Sequence, residues 1–396
     1  MSTKVIIVGG GIAGPVLAIF LKMKGYTPVI YERSMAPTQA GISLMMQPNG
    51  LRVLSLIPEI VENIPGCPIK RFISFSSLED NEEVLVDNDL PSTVIEKEFG
   101  FPMIGVRRTA FHKLIIETAQ KHGIEIKWGH QAVKFEQNDN DVSVTFENGE
   151  TTTGSFVVGC DGLHSNTRLA LFGHEEVDFT GLIQMGGVSP TPPALQNKYA
   201  LVNNFGNGKH MVTYPVSENQ YSWAVTVREP EAKEDWRSMD SQKQDEVKKG
   251  PLSQWAFGAG ELVKTGEKIA KYGLYDRPEL KTWHKGRIVL LGDAAHPTSP
   301  HLGQGANQAF EDVYHLMRFI VKYNPDASQP DTELLTKIFS EYESIRIPRS
   351  AALVKGARKQ GEVRVVEGIE ACKARNDRVL SSVRAKSELL ATLVLL

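Results

Sequence analysis

Lys4-Val-Ile-Ile-Val8, followed at once by Gly9-Gly10-Gly11-Ile12-Ala13-Gly14, is the stretch whose reading decides the fold. Five residues rich in branched apolar side chains suit a strand buried on both faces, as in a parallel sheet. The glycine cluster satisfies G-x-G-x-x-G directly after that strand. Gly9 supplies the tight turn, Gly11 lets a pyrophosphate approach the backbone, and Gly14 lets helix and strand pack closely, with Ala13 between them. A helical pattern over Pro15 to Lys24 follows, apolar at Val16, Leu17, Ile19, Phe20 and Met23, and Gly25 fits its stop. Pro15 is tolerated at a first helical position because its missing N–H has no partner there. Thr27 to Tyr31 reads as the next strand, ending at Glu32, whose carboxylate is placed to accept from ribose hydroxyls. Arg33 either reaches an adenosine or lies in solvent. This is the opening of a doubly wound α/β domain that binds a dinucleotide, and alone it does not separate NAD from FAD.

Further along, Phe111 to Lys121 reads as a helix. Ile124–Trp128, Ala132–Gln137 and Val142–Glu147 read as strands, with a turn at Asn148-Gly149, and Phe156–Gly159 as another buried strand. From about Thr180 to Leu280 the texture becomes β-like and aromatic: Tyr199–Phe205, Lys209–Val216 and Tyr221–Glu229 are separated by short turns. Ile288–Leu291 returns to the buried pattern. The chain is therefore expected to leave the nucleotide domain, build a second sheet and come back. The arginines and lysines between Arg346 and Lys386 are expected on a solvated helix face.

Composition narrows the class. In 396 residues, 41% are hydrophobic and 23% charged, and the formal net charge is −3, which argues against nucleic acid as a partner. Cys67, Cys160 and Cys372 are too far apart for a metal or redox motif, so no metal is expected and a reducing, cytoplasmic compartment is the simplest reading. No leader pattern opens the chain. The apolar run 389–396 is far short of the ~20 residues needed to span a bilayer; a buried helical turn and peripheral membrane contact are its two readings. The protein is expected to be a monomer or homodimer.

Three later motifs carry a resemblance. They are Val106-Arg-Arg108-Thr-Ala-Phe-His-Lys-Leu114, Gly159-Cys-Asp161-Gly-Leu-His-Ser-Asn-Thr-Arg168 and Gly286-Arg-Ile-Val-Leu-Leu-Gly-Asp293-Ala-Ala-His-Pro297. With the opening loop, in this order, the chain resembles the single-component FAD-dependent aromatic monooxygenases, the group of 4-hydroxybenzoate and salicylate hydroxylases, over essentially its whole length. The resemblance implies a Rossmann-like FAD-binding domain built from residues 1–72, 101–179 and 281–345. It also implies a β-sheet substrate domain from 73–100 and 180–280, with a helical segment over 346–396. It places Arg108 near the FAD phosphates or ribityl chain, gives Asp161 to both FAD and reduced nicotinamide, and sets Asp293 on the ribityl hydroxyls. A nicotinamide dehydrogenase has no use for such a late aspartate. Pro300-His-Leu-Gly303-Gln-Gly305-Ala306-Asn307 then opens a helix whose glycines permit close approach to a ring and whose dipole suits the reduced flavin's negative locus.

The implied reaction uses NAD(P)H and O2 to hydroxylate a phenol or hydroxylated aromatic acid through a flavin C4a-hydroperoxide. A phenol calls for a base titrating near working pH. His210 and Tyr214, four apart on one strand, share a face, and His301 lies in the loop offered to the flavin. With Glu-Asp-Trp at 234–236 this trio is similar to the 6-hydroxynicotinate 3-monooxygenase branch, except that Gln47 stands where that branch carries a histidine. Gly41–Gly50 resembles the segment beside the flavin ring, so Met45, Gln47 or both are expected to border the substrate, and Pro297, at the end of the Gly-Asp motif, is expected there too. His296 is expected to fix its turn. An epoxidase or a tailoring enzyme of secondary metabolism shares all these flavin motifs. A flavin halogenase would carry a W-x-W-x-I-P stretch, and the five tryptophans here are isolated.

Overall fold

The computed structural model describes residues 3–37, 41–78, 81–230 and 239–382. Its first sheet has six strands, ordered His284–Lys285, Ile288–Leu290, Phe156–Gly159, Lys4–Val8, Thr27–Glu32 and Glu125–Trp128. The five from Ile288–Leu290 onward are parallel, and His284–Lys285 closes the edge antiparallel. The order reverses beside Lys4–Val8, so a crevice opens between the carboxyl ends of that strand and Phe156–Gly159. Gly9 sits there with φ +110°, and an added Cβ would come within 2.4 Å of the Cys160 carbonyl oxygen. The side chains of Val5, Ile6 and Ile7 are fully buried, as the continuous apolar run requires.

The helix after the glycine loop is Ala13–Met23, two residues earlier than expected from its apolar stripe. Pro15 is thus its third residue, still in the first turn, where no backbone N–H has an intrahelical acceptor. Gly14 serves close packing: a Cβ there would stand 2.1 Å from the Gly9 carbonyl oxygen.

The second sheet has seven strands, ordered Glu267–Asp276, Asp178–Pro190, Gln220–Arg228, Lys209–Ser217, Ala200–Phe205, Arg71–Leu78 and Asn81–Asn88. All its pairings are antiparallel except Ala200–Phe205 with Arg71–Leu78. A small sheet of Ser43–Met46, Met103–Arg107 and Gly66–Ile69 joins the two halves. It approaches the large sheet closely because residue 105 is glycine; a Cβ there would stand 2.1 Å from the Pro215 carbonyl oxygen.

Two helices complete the architecture, Gly305–Tyr323 and the 33-residue Thr332–Arg364. At 1.5 Å per residue the latter is about 50 Å long, enough to run from the nucleotide half to the large sheet. The expectation of a solvated face over Arg346–Lys386 holds in part: Lys355, Arg358 and Lys373 are exposed, but two arginines, one here and one on the following helix Ile369–Ser382, are not. Arg346 is 1% and Arg375 2% exposed, because their guanidinium groups are consumed by internal acceptors. No helix among the described residues is long and apolar enough to cross a membrane. The run 389–396 and the Glu-Asp-Trp at 234–236 lie outside the described residues.

Candidate active site

A cavity of about 1200 Å³ runs from the glycine loop to the face of the large sheet. That exceeds the ~300–1,000 Å³ of an ordinary small-ligand pocket, so it has room for a cofactor and a substrate together. At one end lie Gly9, Gly11, Ala13, Glu32, Arg33 and Arg108; in the middle Asp161, Asp293, Gly303, Gly305 and Ala306; at the other Tyr214, Asn203, Tyr272 and His301.

The nucleotide end fits a dinucleotide on three observations. A Cβ built on Gly11 meets nothing within 4 Å, so the backbone there is open to an incoming group. Neither Ala13–Met23 nor Gly305–Tyr323 has a side-chain cap or an acidic residue in its first turn, which leaves N–H groups and positive dipole for an anion. Glu32 is already oriented: Oε2 accepts from the Gly10 N–H at 2.7 Å and Oε1 from the Ser34 N–H at 2.9 Å. Each oxygen keeps a lone pair for a ribose hydroxyl. Burial lowers the Arg108 pKa, while Asp293 and Glu32 both pull it back up, so this one guanidinium lies within electrostatic reach of both acids.

The Gly-Asp turn is held from two sides. Arg168 Nη1 donates to the Ala295 carbonyl at 2.9 Å, and Arg168 Nη2 pairs with Glu175 at 2.6 Å. Asp312 Oδ2 accepts from the Gly292 N–H at 2.9 Å and lies 2.6 Å from His296 Nε2. His296 therefore fixes the turn, while Asp293 is exposed toward the cavity. His112 Nε2, 2.7 Å from the Gly10 carbonyl oxygen, braces the glycine loop in the same way.

Several of the expected contact residues are engaged by the protein itself or lie off the cavity wall. Asp161 borders the cavity, but Oδ1 accepts from Ser165 Oγ at 2.6 Å and Oδ2 from the Thr167 N–H at 2.9 Å. Its carboxylate thus builds the start of the helix Asn166–Phe172. Burial raises its pKa even against those hydrogen bonds. Asn307 does not line the cavity: its amide ties the Met45 and Gly303 carbonyls to the Gln47 N–H. Gly14 and Pro297 are not among the lining residues either. Gln47 does line it, with an amide already spent on the Leu302 and Gly303 carbonyls and on Gln304.

On the large sheet, Tyr214 Oη lies 2.8 Å from Ser43 Oγ, which lies 2.6 Å from Ser222 Oγ. Burial pushes the Tyr214 phenol up to about 12. His301 is 4% exposed, both ring nitrogens lack a partner, and burial with the nearby Arg364 charge lowers its pKa to about 3. His210 is fully buried one layer behind the cavity wall, its Nε2 2.9 Å from the Asn203 Oδ1 that does line it. Burial, with the charges of Arg364, His301 and Arg375, keeps it well below the ordinary imidazole value. Desolvation favours the neutral form of each of the three.

The pocket also contains what the sequence did not signal. Gln184 and Tyr272 face it, joined by Tyr272 Oη donating to Gln184 Oε1 at 2.6 Å. Gly361, on the long helix, sits against the His301 ring; a Cβ there would come 2.5 Å from His301 Cδ2. Arg364, one turn on, reaches the cavity from the same helix.

The family described as "FAD binding domain" matches residues 2–357. Over 91% of its length the chain is 27% identical to a 3-amino-4-hydroxybenzoate 2-monooxygenase of Streptomyces cremeus, covering 87% of that protein. It is 29% identical to a 6-hydroxynicotinate 3-monooxygenase of Pseudomonas fluorescens over 80% of the chain and 82% of that protein. The crystal structure of Klebsiella pneumoniae HpxO with FAD and uric acid superposes with a TM-score of 0.84, covering 99% of this chain and 96% of that one at 22% identity, so the fold is shared.

Proposed function

The chain belongs to the FAD-binding domain family and is a FAD-dependent monooxygenase; from that premise we propose that it uses NAD(P)H and O2 to hydroxylate a small hydroxylated aromatic acid. The observation that carries the reading is a single cavity joining an uncapped glycine loop and two acids, Glu32 and Asp293, to neutral Tyr214 on the large sheet and neutral His301 in the turn Pro300–Leu302. A cytoplasmic location belongs to the same proposal, supported by three unpaired cysteines.

Bound FAD supplies the redox chemistry and the activation of oxygen. The residues in position to hold it are Gly9, Gly11 and Ala13 at the phosphates, Glu32 and Arg33 at the adenosine, Arg108 between, and Asp293, Gly303, Gly305 and Ala306 toward the ring. The chain's own work is substrate handling. Tyr214, held at its hydroxyl by Ser43, keeps its proton at neutral pH and orients an acceptor on the ring. His301, neutral, offers one nitrogen as acceptor for a phenolic O–H, which draws electron density onto the ring to be attacked. His210 acts through Asn203 and positions that side of the pocket. Leu201, Val212 and Met103 wall the space with apolar surface that excludes water.

The test is NAD(P)H oxidation against a panel of hydroxylated aromatic acids, scoring organic product against peroxide. Product matching NAD(P)H consumed for at least one acid is expected. Peroxide alone with every acid removes the hydroxylase reading and leaves the flavoprotein one.

A further inference from the structure

The buried arginines of this protein form an internal comparison. Arg346 is paired with Glu311 and Asp312, and Arg168 with Glu175. Arg287 donates to four backbone carbonyls, those of Asn138, Asp139, Ser155 and Pro330, and Arg375 to Gly206 and to Asn376. Arg364, half-buried at the cavity wall, departs from this pattern. Its Nε is buried without a hydrogen-bond partner, and its guanidinium has no ion pair among the described residues. Burial alone draws its pKa down to about 10, with no carboxylate near enough to oppose it. A cation that borders a cavity with a buried, unsatisfied N–H and no counter-charge is completed by an anionic ligand.

Its position says which ligand. Gly361 precedes Arg364 by three residues, hence lies on the same helix face, and Gly361 packs on the His301 ring. The next residue, Val365, packs with Leu182, Tyr272 and Leu274 of the large sheet. The Arg364 charge is felt by both His301 and His210, whereas Glu32 and Asp293 act on Arg108 instead. Arg364 is therefore at the substrate end of the cavity, away from the glycine loop. Beside it His301 Nδ1 and Nε2 also lack partners. A planar guanidinium fork is shaped for a carboxylate.

We propose that Arg364 binds the carboxylate of the substrate and so selects aromatic acids over their neutral counterparts. This rests on the monooxygenase reading above and deepens it by naming the anionic group recognised and the residue that takes it. No described carboxylate competes for the site, so the substrate's own is the counter-ion that the fold leaves out.

The experiment uses the full chain loaded with FAD. Binding of 6-hydroxynicotinate and 3-amino-4-hydroxybenzoate, and of the two corresponding carboxamides, is read from perturbation of the flavin absorbance, for wild type, R364Q and R364K. Wild type is expected to prefer each acid to its amide. R364Q is expected to weaken the acids about 10- to 100-fold, the size of a charge-assisted hydrogen bond, while changing the amides by less than about threefold. R364K keeps the charge without the fork and is expected to fall between. Should R364Q lose its flavin, R364K alone decides, through weakened acids with retained amides. Acid affinity unchanged in the variants, or a wild type that takes the amides in preference, overturns the proposal. Product analysis judges the reaction separately: Arg364-dependent acid binding without oxygenated product keeps the anion site and removes the monooxygenase.

Discussion

Arg346 Nε lies 2.7 Å from Asp312 Oδ1, and the other oxygen of that carboxylate holds the Gly292 N–H and the His296 ring. The long helix is thus tied through one buried ion pair to the turn that offers Asp293 to the cavity. Burial alone would raise the Asp312 pKa, but the charges of His296 and Arg346 hold it below the ordinary carboxylate range. Removing one partner leaves the other buried and uncompensated. Asp312→Asn is expected to cost about 3–5 kcal/mol in urea unfolding and to reduce flavin content. Full stability with full flavin would show that the pair does not position the turn.

Gly11 and Gly14 are expected to separate binding from folding. A Cβ on Gly14 would stand 2.1 Å from the Gly9 carbonyl oxygen, whereas one on Gly11 meets nothing. Gly14→Ala should therefore lower the melting temperature of the flavin-free protein. Gly11→Ala should leave it unchanged and weaken FAD by roughly tenfold or more, the equivalent of about 1.4 kcal/mol. Titration of flavin-free protein with FAD reads both.

Gly361 is a third test, because the methyl of Gly361→Ala would fall 2.5 Å from His301 Cδ2. The ring must then move into the cavity it borders. Flavin content is expected to stay within about twofold, and kcat/KM for an acid substrate to fall by about tenfold, a transition-state loss of ~1.4 kcal/mol. An unchanged kcat/KM would place His301 outside the substrate's reach.

The nucleotide half was legible because its signals are local. Strand, glycine loop, helix and Glu32 occupy residues 4–32, and each reads from period or turn chemistry alone. The strand before the Asn148-Gly149 turn was legible for the same reason, whereas its partner Thr151–Gly154, rich in threonine, was not. What was not legible depends on contacts between distant segments. Asn307 and Asp161 sit in motifs that suggested cofactor contact, yet their polar atoms are consumed by Met45, Gln47, Gly303, Ser165 and Thr167. The charged run after Pro330 read as solvated because a helix of mixed charge has no strong apolar stripe. Only the fold shows that Arg346 meets acids on a neighbouring helix and that Arg364 ends in the cavity.

The buried histidines set a pH dependence. Burial lowers His315 to about 4 and His301 to about 3 from the ordinary imidazole value near 6.5. Both stay neutral in the folded protein over a range where the unfolded chain takes up protons. Their contribution is therefore full above about 6.5 and is lost as pH falls toward the folded values, at up to ~1.4 kcal/mol per pH unit for each group. Unfolding free energy of the flavin-free protein should rise from pH 4 to pH 6.5, with a shallower rise in His315→Gln. An identical slope in that variant would show that His315 titrates alike in both states.

The central claim is that one continuous cavity brings a flavin and a hydroxylated aromatic acid together for oxygen transfer. It is tested most directly by turnover of FAD-loaded enzyme with NAD(P)H and an aromatic acid under ¹⁸O₂, followed by mass spectrometry of the product. The account predicts a hydroxylated product carrying one ¹⁸O atom. Consumption of NAD(P)H with unlabelled product, or with labelled peroxide alone across the acids, would contradict it.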